Sequence, residues 1–319
     1  MLRYRSPHRD RVDERSRIST ILKKINSFSA ASDLECVIAS PTAVPVLKRS
    51  MRAIWRLAPR SGVSYALGKV LAHSLLRAGS KHQLVPVLFD GRIPMQLDLG
   101  DVTSNDLFCL DSHYEAATLK LWKQLARKNR FILDVGSHLG TYALVAADAN
   151  PQARIVAAEA NRDNYTRLRA HGASYPNLRP VHAAVATQAG TMWFCLESND
   201  TGGGCLSSSP VAGRHCYQIQ TCSLTALCES EGLPSVDLAK IDVEGYEHEL
   251  LNDNDEFWRQ YRPLHLIVEI ARKPANAVAT DLLFAAMARR NYRWRRIERL
   301  HVVPFGHPDE LANWHFWQQ

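Results

Sequence analysis

Charged residues at the end of an apolar segment are the first candidates for chemistry in this chain. The string KIDVEGYEHELL (240–251) places Lys240, Asp242 and Glu244 at alternate positions. Side chains alternate across an extended strand, so these three groups are expected on one side of it. Charges beside an apolar strand are costly unless they pair. The string therefore indicates either a reactive site or a structural ion pair of Lys240 with one carboxylate, and both interpretations stay open.

The same string supplies a candidate general base. Asp242 or Glu244 is the candidate, with Lys240 setting its charge state. Glu269 ends the apolar segment LHLIVEI (264–270) and is the other acidic group expected at the same rim. Asp242 and Glu269 could bind a divalent metal, but no full ligand set is evident, and no metal site is predicted.

A second candidate site is the loop that follows the apolar segment FILDV (131–135). Asp134, Gly136, Ser137, His138 and Gly140 lie in or directly after this segment. Glycine permits a tight turn and close approach to a ligand, and the aspartate can accept from an amine. A dinucleotide fingerprint, GxGxxG, would need glycine at 138 and 141, where the chain has histidine and threonine. The loop therefore favours S-adenosylmethionine over NAD. The alternative without a ligand is an ordinary strand-to-helix turn.

The segment RIVAAEA (154–160) strengthens the cofactor interpretation. It brings Glu159 19 residues after Gly140, where a carboxylate can accept both ribose hydroxyls. The neighbouring positions are expected to line the rest of the pocket. Ala160 and Asn161 would shape the adenosine site, His182 and Ala183 would flank the adenine, and Tyr114 and Glu115 would close over the cofactor. Core packing is an alternative explanation for His182 and Ala183.

Regular alternation of strand and helix patterns surrounds these residues and predicts an α/β fold with a doubly wound, mostly parallel sheet. A β-hairpin (84–99) turns at Asp90-Gly91, a helix spans 112–128, and an antiparallel C-terminal segment covers 292–305. The predicted organisation is a basic extension with two amphipathic helices (1–80), then one domain (81–319). That domain comprises the hairpin and helix at 83–130 and a Rossmann-like core at 131–319. The Gly/Ser-rich stretch 198–210 is either a substrate lid or a plain surface hairpin.

These motifs together resemble the FkbM family of methyltransferases. The resemblance is carried by DVGSHLG (134–140), AAEANRDNYTRL (157–168) and KIDVEGYEHELL (240–251), and it covers residues 83–319. It implies a class I Rossmann-like methyltransferase fold, S-adenosyl-L-methionine as cofactor, and O-methylation of a sugar or natural-product hydroxyl. Ala160 stands where the family often has proline, and His138 where asparagine is usual.

Charge and cysteine content bear on partners and location. The net charge is +7, with residues 1–60 alone at +8, so the basic character belongs to the N-terminal extension. Peripheral membrane contact or oligomer packing would suit its amphipathic helices, whereas no segment is apolar for long enough to cross a membrane. The seven cysteines include no CxxC spacing, which predicts reduced thiols in a cytoplasmic protein.

Two other function classes remain. A nucleic-acid methyltransferase could use the basic extension as an anchor, but the chain has neither an Asn/Asp-Pro-Pro-aromatic string nor a Pro-Cys pair. A catalytically silent scaffold is disfavoured by the intact Asp134, Gly136, Gly140 and Glu159.

Overall fold

The protein is described by a computed structural model in which residues 84–197, 200–271, 277–297 and 311–318 are placed. The predicted extension (1–80) lies outside the described residues. Among the described residues, 84–87 and 97–111 belong to one compact unit, and 88–96 together with residues from 112 onward belong to a second. All the candidate site residues fall in the second unit.

The first described elements are the strands of the predicted hairpin, β1 (Leu84–Phe89) and β2 (Ile93–Asp98). Asp90 and Gly91 both have positive φ, at 49° and 75°, as a tight two-residue hairpin turn requires. A helix that the sequence analysis did not predict follows, α1 (Val102–Leu110), and the Asp101 side chain caps it by accepting from the Ser104 amide. A short 3-10 turn (Asp111–His113) comes next.

The second unit alternates strands and helices. In chain order these are α2 (Ala116–Ala126), β3 (Phe131–Val135), α3 (Thr141–Ala149), β4 (Arg154–Glu159), α4 (Arg162–Gly172), β5 (Leu178–His182), β6 (Ala184–Val185), β7 (Gly190–Glu197), β8 (Asp200–Ser207), β9 (His215–Cys222), α5 (Leu224–Ser230), β10 (Leu238–Ile241), α6 (Glu247–Asn252), α7 (Asp255–Gln260), β11 (His265–Ala271), α8 (Ala277–Arg289), β12 (Tyr292–Arg296) and β13 (Leu311–Gln318).

A seven-stranded sheet with the order β12-β13-β11-β10-β3-β4-β5 forms the centre of this unit. Strands β5, β4, β3, β10 and β11 are mutually parallel, and Asp134 on β3 lies opposite Lys240 on β10. Their carboxyl ends share one edge of the sheet, which is where a doubly wound fold binds its ligand. The predicted fold class, an α/β class I Rossmann-like arrangement, is confirmed.

An antiparallel C-terminal strand is present, as predicted, but it lies beyond the segment 292–305. β13 is antiparallel to both of its neighbours and is inserted between β11 and β12. The predicted antiparallel segment (292–305) instead contains β12, which runs in the same direction as β11. The sheet thus takes its one reversed strand, among the described residues, from a later part of the chain than predicted.

A smaller sheet with the order β6-β9-β7-β8 contains the Gly-rich stretch. Residues 200–207 form its edge strand β8, so the surface-hairpin interpretation describes this segment, although residues 198–199 lie outside the described residues. The expectation of reduced thiols is wrong for two cysteines, since Cys195 and Cys216 form a disulfide between β7 and β9. The cytoplasmic location inferred from those thiols stays a prediction.

The core packs on the central sheet. Leu133, Val156, Ile241 and Val268 are fully or almost fully buried on adjacent parallel strands. Continuous apolar character of this kind is what a strand covered on both faces needs. Within the described ranges, no helix is long and apolar enough to cross a membrane.

Candidate functional site

The loop after β3 is held closely against two neighbouring strands. The amides of Gly136 and Ser137 both donate to the Ala158 carbonyl on β4 at 3.0 Å. On the β10 side, a Cβ at Gly136 would lie 1.7 Å from the Asp242 carbonyl oxygen, and the φ of Gly136 is +77°. Only glycine fits both conditions, since it has no Cβ and tolerates positive φ. Gly136 therefore lets the predicted cofactor loop lie directly against Asp242.

Asp134 places an unpaired carboxylate at the base of this loop. Its side chain is buried, and neither carboxylate oxygen accepts a hydrogen bond of good geometry among the described residues, although the Ala143 amide and the Ser137 hydroxyl lie near enough to lower its pKa slightly. The Ser137 hydroxyl donates instead to the Asp134 backbone carbonyl, at 2.7 Å. Burial raises the pKa of Asp134 to about 6, and the positive charge of Lys240 limits the rise. A buried carboxylate without a partner is costly, so this position suits a ligand that brings a cationic donor.

Glu159 joins the loop to the segment after β4. Its Oε2 accepts from the His138 amide at 2.7 Å, and its Oε1 accepts from the Asn161 amide at 2.8 Å. Burial raises the pKa of Glu159 to about 7. A carboxylate offers about four lone-pair positions, so both oxygens can still accept hydroxyl groups from a ligand. The predicted role toward ribose is compatible with these contacts and stays a prediction.

The other predicted adenosine residues lie next to Glu159. His182 is exposed, pairs with Glu159 in the β4–β5 register, and makes a contact of 3.0 Å from its Nε2 to the Ala160 carbonyl. Its ring stacks on Tyr165 of α4 at 5.1 Å. The Asn161 side chain caps α4 by accepting from the Asp163 amide at 2.9 Å. Asn161 thus has a structural function, whatever it contributes to a pocket.

Tyr217 is a neighbour of Glu159 that the sequence analysis missed. It lies on β9 of the small sheet and contacts Phe194 of β7, with ring centroids 5.7 Å apart. Burial, together with the negative charges of Glu159 and Asp163, raises the pKa of Tyr217. The small sheet therefore contributes an aromatic hydroxyl close to the predicted ribose site.

Lys240 is a buried ammonium group surrounded by acidic and aromatic side chains. Its Nζ lies 2.6 Å from Asp242 Oδ2 and 4.6 Å from the centre of the Tyr142 ring. Burial alone would lower the pKa of Lys240, but the negative charges of Asp242, Asp134 and Glu115 raise it above its usual value. Lys240 is therefore a fixed positive charge, and the ion pair considered from the sequence is present.

Glu115 connects three separated parts of the chain at this site. Tyr142 donates its hydroxyl to Glu115 Oε2 at 2.5 Å, and Asn313 donates to Oε1 at 3.4 Å. Burial, followed by the charge of Glu115, raises the pKa of Tyr142. Glu115 has a φ of 42°, in a region that non-glycine residues seldom occupy. Glu115 is thus held near Lys240 by Tyr142 and Asn313, neither of which was predicted.

Three acidic residues meet at the ends of β10 and β11. Each of Asp242, Glu244 and Glu269 offers an oxygen atom, and these atoms all lie within 4.8 Å of one another. Burial and the charge of Asp242 raise the pKa of Glu269 well above its usual value. The structure therefore brings together the acidic residues predicted as catalytic. Carboxylate oxygens are also the ligand type that hard divalent cations take.

A buried glutamate that the sequence analysis did not identify shapes the turn after β10. Glu247 accepts from the amides of Val243 and Gly245, at 2.8 and 3.0 Å. Glu244 and Gly245 both have positive φ, at 54° and 101°. The alternation of Lys240, Asp242 and Glu244 along a strand therefore holds only to Ile241, where β10 ends. Glu244 is exposed because the chain turns there, while Lys240 stays buried.

Comparison with known proteins identifies a family for this region. A family model described as the methyltransferase FkbM domain matches residues 134–294. A hexuronic acid methyltransferase, AglP, from Haloferax volcanii is 27% identical over 150 residues, which are 44% of this chain and 56% of that protein. The chain thus spans little more than half the length of this curated relative.

Solved structures resemble the chain only at the level of the fold. A precorrin-6y C5,15-methyltransferase from Geobacter metallireducens GS-15 is 12% identical, covers 63% of this chain and 87% of its own, and has a TM-score of 0.37. An O-methyltransferase from Bacillus cereus, solved in complex with SAH, is 12% identical, covers 62% and 79%, and has a TM-score of 0.38. These scores are low, so the fold assignment rests on the strand order of the chain itself.

Proposed function

Because the chain belongs to the methyltransferase FkbM domain family, we propose that it transfers a methyl group from S-adenosylmethionine to a hydroxyl group of a sugar or a related small molecule. The observation that carries this proposal is the unpaired, buried carboxylate of Asp134 next to Lys240 and Asp242. One strand end thus offers a position for a cationic donor on the cofactor. The adjacent strand end offers acidic groups for the acceptor.

The residues present fit the cofactor. Asp134 would accept from its ammonium group, which meets the need of that buried carboxylate for a donor. Glu159 would accept from the ribose hydroxyls, while Ala160, Asn161, His182 and Ala183 would surround the adenine. Bound S-adenosylmethionine supplies a sulfonium-activated methyl group, so correct alignment with the acceptor oxygen accounts for much of the catalysis.

The acceptor hydroxyl must lose its proton, and the acidic cluster is suited to take it. Asp242 is held by Lys240 at 2.6 Å, which fixes its orientation toward the neighbouring carboxylates. The raised pKa of Glu269 makes its ionised form a better proton acceptor than an ordinary carboxylate. Asp242 would orient the hydroxyl, and Asp242 or Glu269 would take its proton. Lys240 would stabilise the resulting charge without giving up its own proton.

Two observations favour a sugar as the acceptor class. The relative from Haloferax volcanii is described as a hexuronic acid methyltransferase. In addition, a cluster of carboxylate oxygens is suited to a molecule rich in hydroxyl donors. These carboxylates would repel the many phosphates of a nucleic acid more strongly than the single carboxylate of a hexuronic acid, so a nucleic acid is the weaker candidate.

A direct assay tests the proposal. The full chain is incubated with S-adenosylmethionine and a panel of a hexuronic acid, the matching neutral hexose, a natural-product alcohol and RNA. We expect a methylated product, identified by mass, from one of the two sugars. Product from RNA alone would refute the sugar assignment. Failure of the protein to bind S-adenosylmethionine in calorimetry would refute the enzymatic proposal.

A matched pair of variants tests the proton-accepting site. Asp242→Asn removes the carboxylate that pairs with Lys240 and should lower kcat at least about tenfold. Glu249→Gln removes an exposed carboxylate on the nearby helix α6 and should leave kcat unchanged. Equal kcat values for Asp242→Asn and the wild type would remove Asp242 from the mechanism.

A further inference from the structure

Three cysteines form a row across the small sheet. On β7, Cys195 lies opposite Cys216 of β9 on one side and opposite Cys205 of β8 on the other. Residues directly opposite one another on antiparallel strands point to the same face, with Cβ atoms about 5 Å apart. Because the strand order is β9-β7-β8, Cys195 lies between the other two cysteines.

Only one of the two neighbours of Cys195 is bonded to it. Cys195 and Cys216 form a disulfide with a Cα–Cα distance of 4.1 Å, whereas Cys205 is not disulfide-bonded. We propose that the row is a thiol–disulfide exchange site, in which Cys205 displaces Cys216 from Cys195. Neither the family assignment nor the proposed methyl transfer involves these residues.

The exchange is chemically balanced. The Cys205 thiolate attacks the Cys195 sulfur, a Cys195–Cys205 bond forms, and the Cys195–Cys216 bond breaks. Cys216 leaves as a thiolate and takes up the proton that Cys205 gave up. The number of disulfides does not change, so the step consumes no oxidant or reductant.

The strand order also provides the required direction of attack. Displacement at a disulfide sulfur proceeds with the incoming sulfur opposite the leaving sulfur. Cys205 and Cys216 lie on opposite sides of Cys195 because their strands flank β7. Two cysteines on the same neighbouring strand could not provide this arrangement.

Both outer sulfur atoms have a hydrogen-bond donor. The Arg214 guanidinium donates to Cys205 Sγ at 3.2 Å, and the Val211 amide donates to Cys216 Sγ at 3.3 Å. These are the two sulfur atoms that carry negative charge as the exchange begins and ends. Each donor therefore stabilises one end of the reaction.

Accessibility distinguishes the outer sulfur atoms from the central one. Cys195 is completely buried, whereas Cys205 and Cys216 are both partly exposed. A reagent from solution therefore meets an outer cysteine first. Before the exchange the disulfide links β7 to β9, where Tyr217 is adjacent to Cys216. After the exchange it links β7 to the Gly-rich edge strand β8.

Disulfide mapping of a Cys216→Ser variant tests the proposal. The folded full chain is equilibrated in a glutathione redox buffer, quenched with acid, alkylated and digested without reduction. We expect a peptide linked through Cys195 and Cys205. The control variant Cys222→Ser, changed at another partly buried cysteine of β9, should keep the Cys195–Cys216 link. Alkylated Cys205 with no link to Cys195 in the Cys216→Ser variant would overturn the proposal.

A kinetic experiment tests the exchange itself in the wild-type chain. The native protein is held at mildly alkaline pH with a slow alkylating agent. We expect a growing fraction of chains that carry the label on Cys216 together with a Cys195–Cys205 link. The Cys205→Ser variant should accumulate no label on Cys216. If the wild type also accumulated no label on Cys216, no exchange would occur in the native chain. That result would overturn the proposal even if the Cys216→Ser variant formed the Cys195–Cys205 disulfide.

Discussion

The charge of Asp134 should make cofactor binding depend on pH. Its pKa is raised to about 6, mainly by burial, so at pH 5 about one carboxyl group in ten is ionised and at pH 7 about nine in ten. The cofactor ammonium favours the ionised form, and binding therefore releases a proton below pH 6. The contribution of Asp134 should strengthen binding about tenfold between pH 5 and pH 7.

The measurement uses S-adenosylhomocysteine, which has the same ammonium and ribose groups but no transferable methyl. Calorimetric dissociation constants are compared for the wild type and Asp134→Asn at pH 5, 6 and 7. At pH 7 the variant should bind at least about tenfold more weakly, because it lacks a charge-assisted hydrogen bond. The difference should be about tenfold smaller at pH 5, because about ten times fewer Asp134 carboxyl groups are ionised there. Taking the ratio of the two proteins removes the contribution of Glu159, whose own pKa is raised to about 7.

Adenosine provides the control ligand, since it lacks the ammonium group. Its binding should have the same pH dependence in the wild type and in Asp134→Asn. A ratio of dissociation constants that stays constant from pH 5 to pH 7 would refute the assignment of the ammonium to Asp134. So would an equal effect of the substitution on adenosine and on S-adenosylhomocysteine.

Three further substitutions test the site, each by urea unfolding of the ligand-free protein. Gly136→Ala should lower the free energy of unfolding by about 2 kcal/mol more than Gly91→Ala does. A Cβ at Gly136 would lie 1.7 Å from the Asp242 carbonyl oxygen, whereas Gly91 has a similar φ and nothing within 4 Å of its Cβ position. Equal losses of stability in the two variants would contradict the close approach of Gly136 to Asp242. Because the pKa of Glu159 rises from 4.5 to about 7 on folding, its contribution to the free energy of unfolding should fall by about 3 kcal/mol as the pH rises between those values. Glu159→Gln should therefore flatten the dependence of the free energy of unfolding on pH. The same dependence in the variant and the wild type would be inconsistent with the raised pKa. Lys240→Met should lower the free energy of unfolding by about 3 kcal/mol, because it leaves Asp242 without its buried partner. An unchanged free energy of unfolding would show that solvent compensates the charge of Asp242.

The sequence predicted those parts of the site that depend on local pattern. FILDV and LHLIVEI are mostly apolar runs of the kind that a strand buried on both faces requires; FILDV coincides with β3, and LHLIVEI matches β11 to within one residue at each end. Asp134, Glu159 and Glu269 follow from such strands because carboxyl ends of parallel strands share an edge. The family motifs then gave a function to positions that pattern alone left ambiguous.

Contacts between distant parts of the chain could not be predicted in this way. Asn313 reaches Glu115 across 198 positions, and its strand has no regular alternation to mark one exposed face. In the sequence, nothing distinguishes Tyr142 from the other residues of an apolar helix. Only the structure shows that its hydroxyl donates to Glu115. The disulfide of Cys195 depends on the register of β7 against β9, which no spacing of cysteines along the chain reveals.

The insertion of β13 between β11 and β12 constrains the order in which the sheet can assemble during synthesis. β12 is made before β13, and among the described residues β13 is its one neighbour in the large sheet, so β12 can join the sheet only after β13 has been made. Closing that connection requires contacts that are distant along the chain, which slows folding. Until then β11 presents an open edge, a site where nascent chains can associate with one another. A nascent chain interrupted before residue 311 would lack both the strand that closes this edge and the Asn313 contact with Glu115.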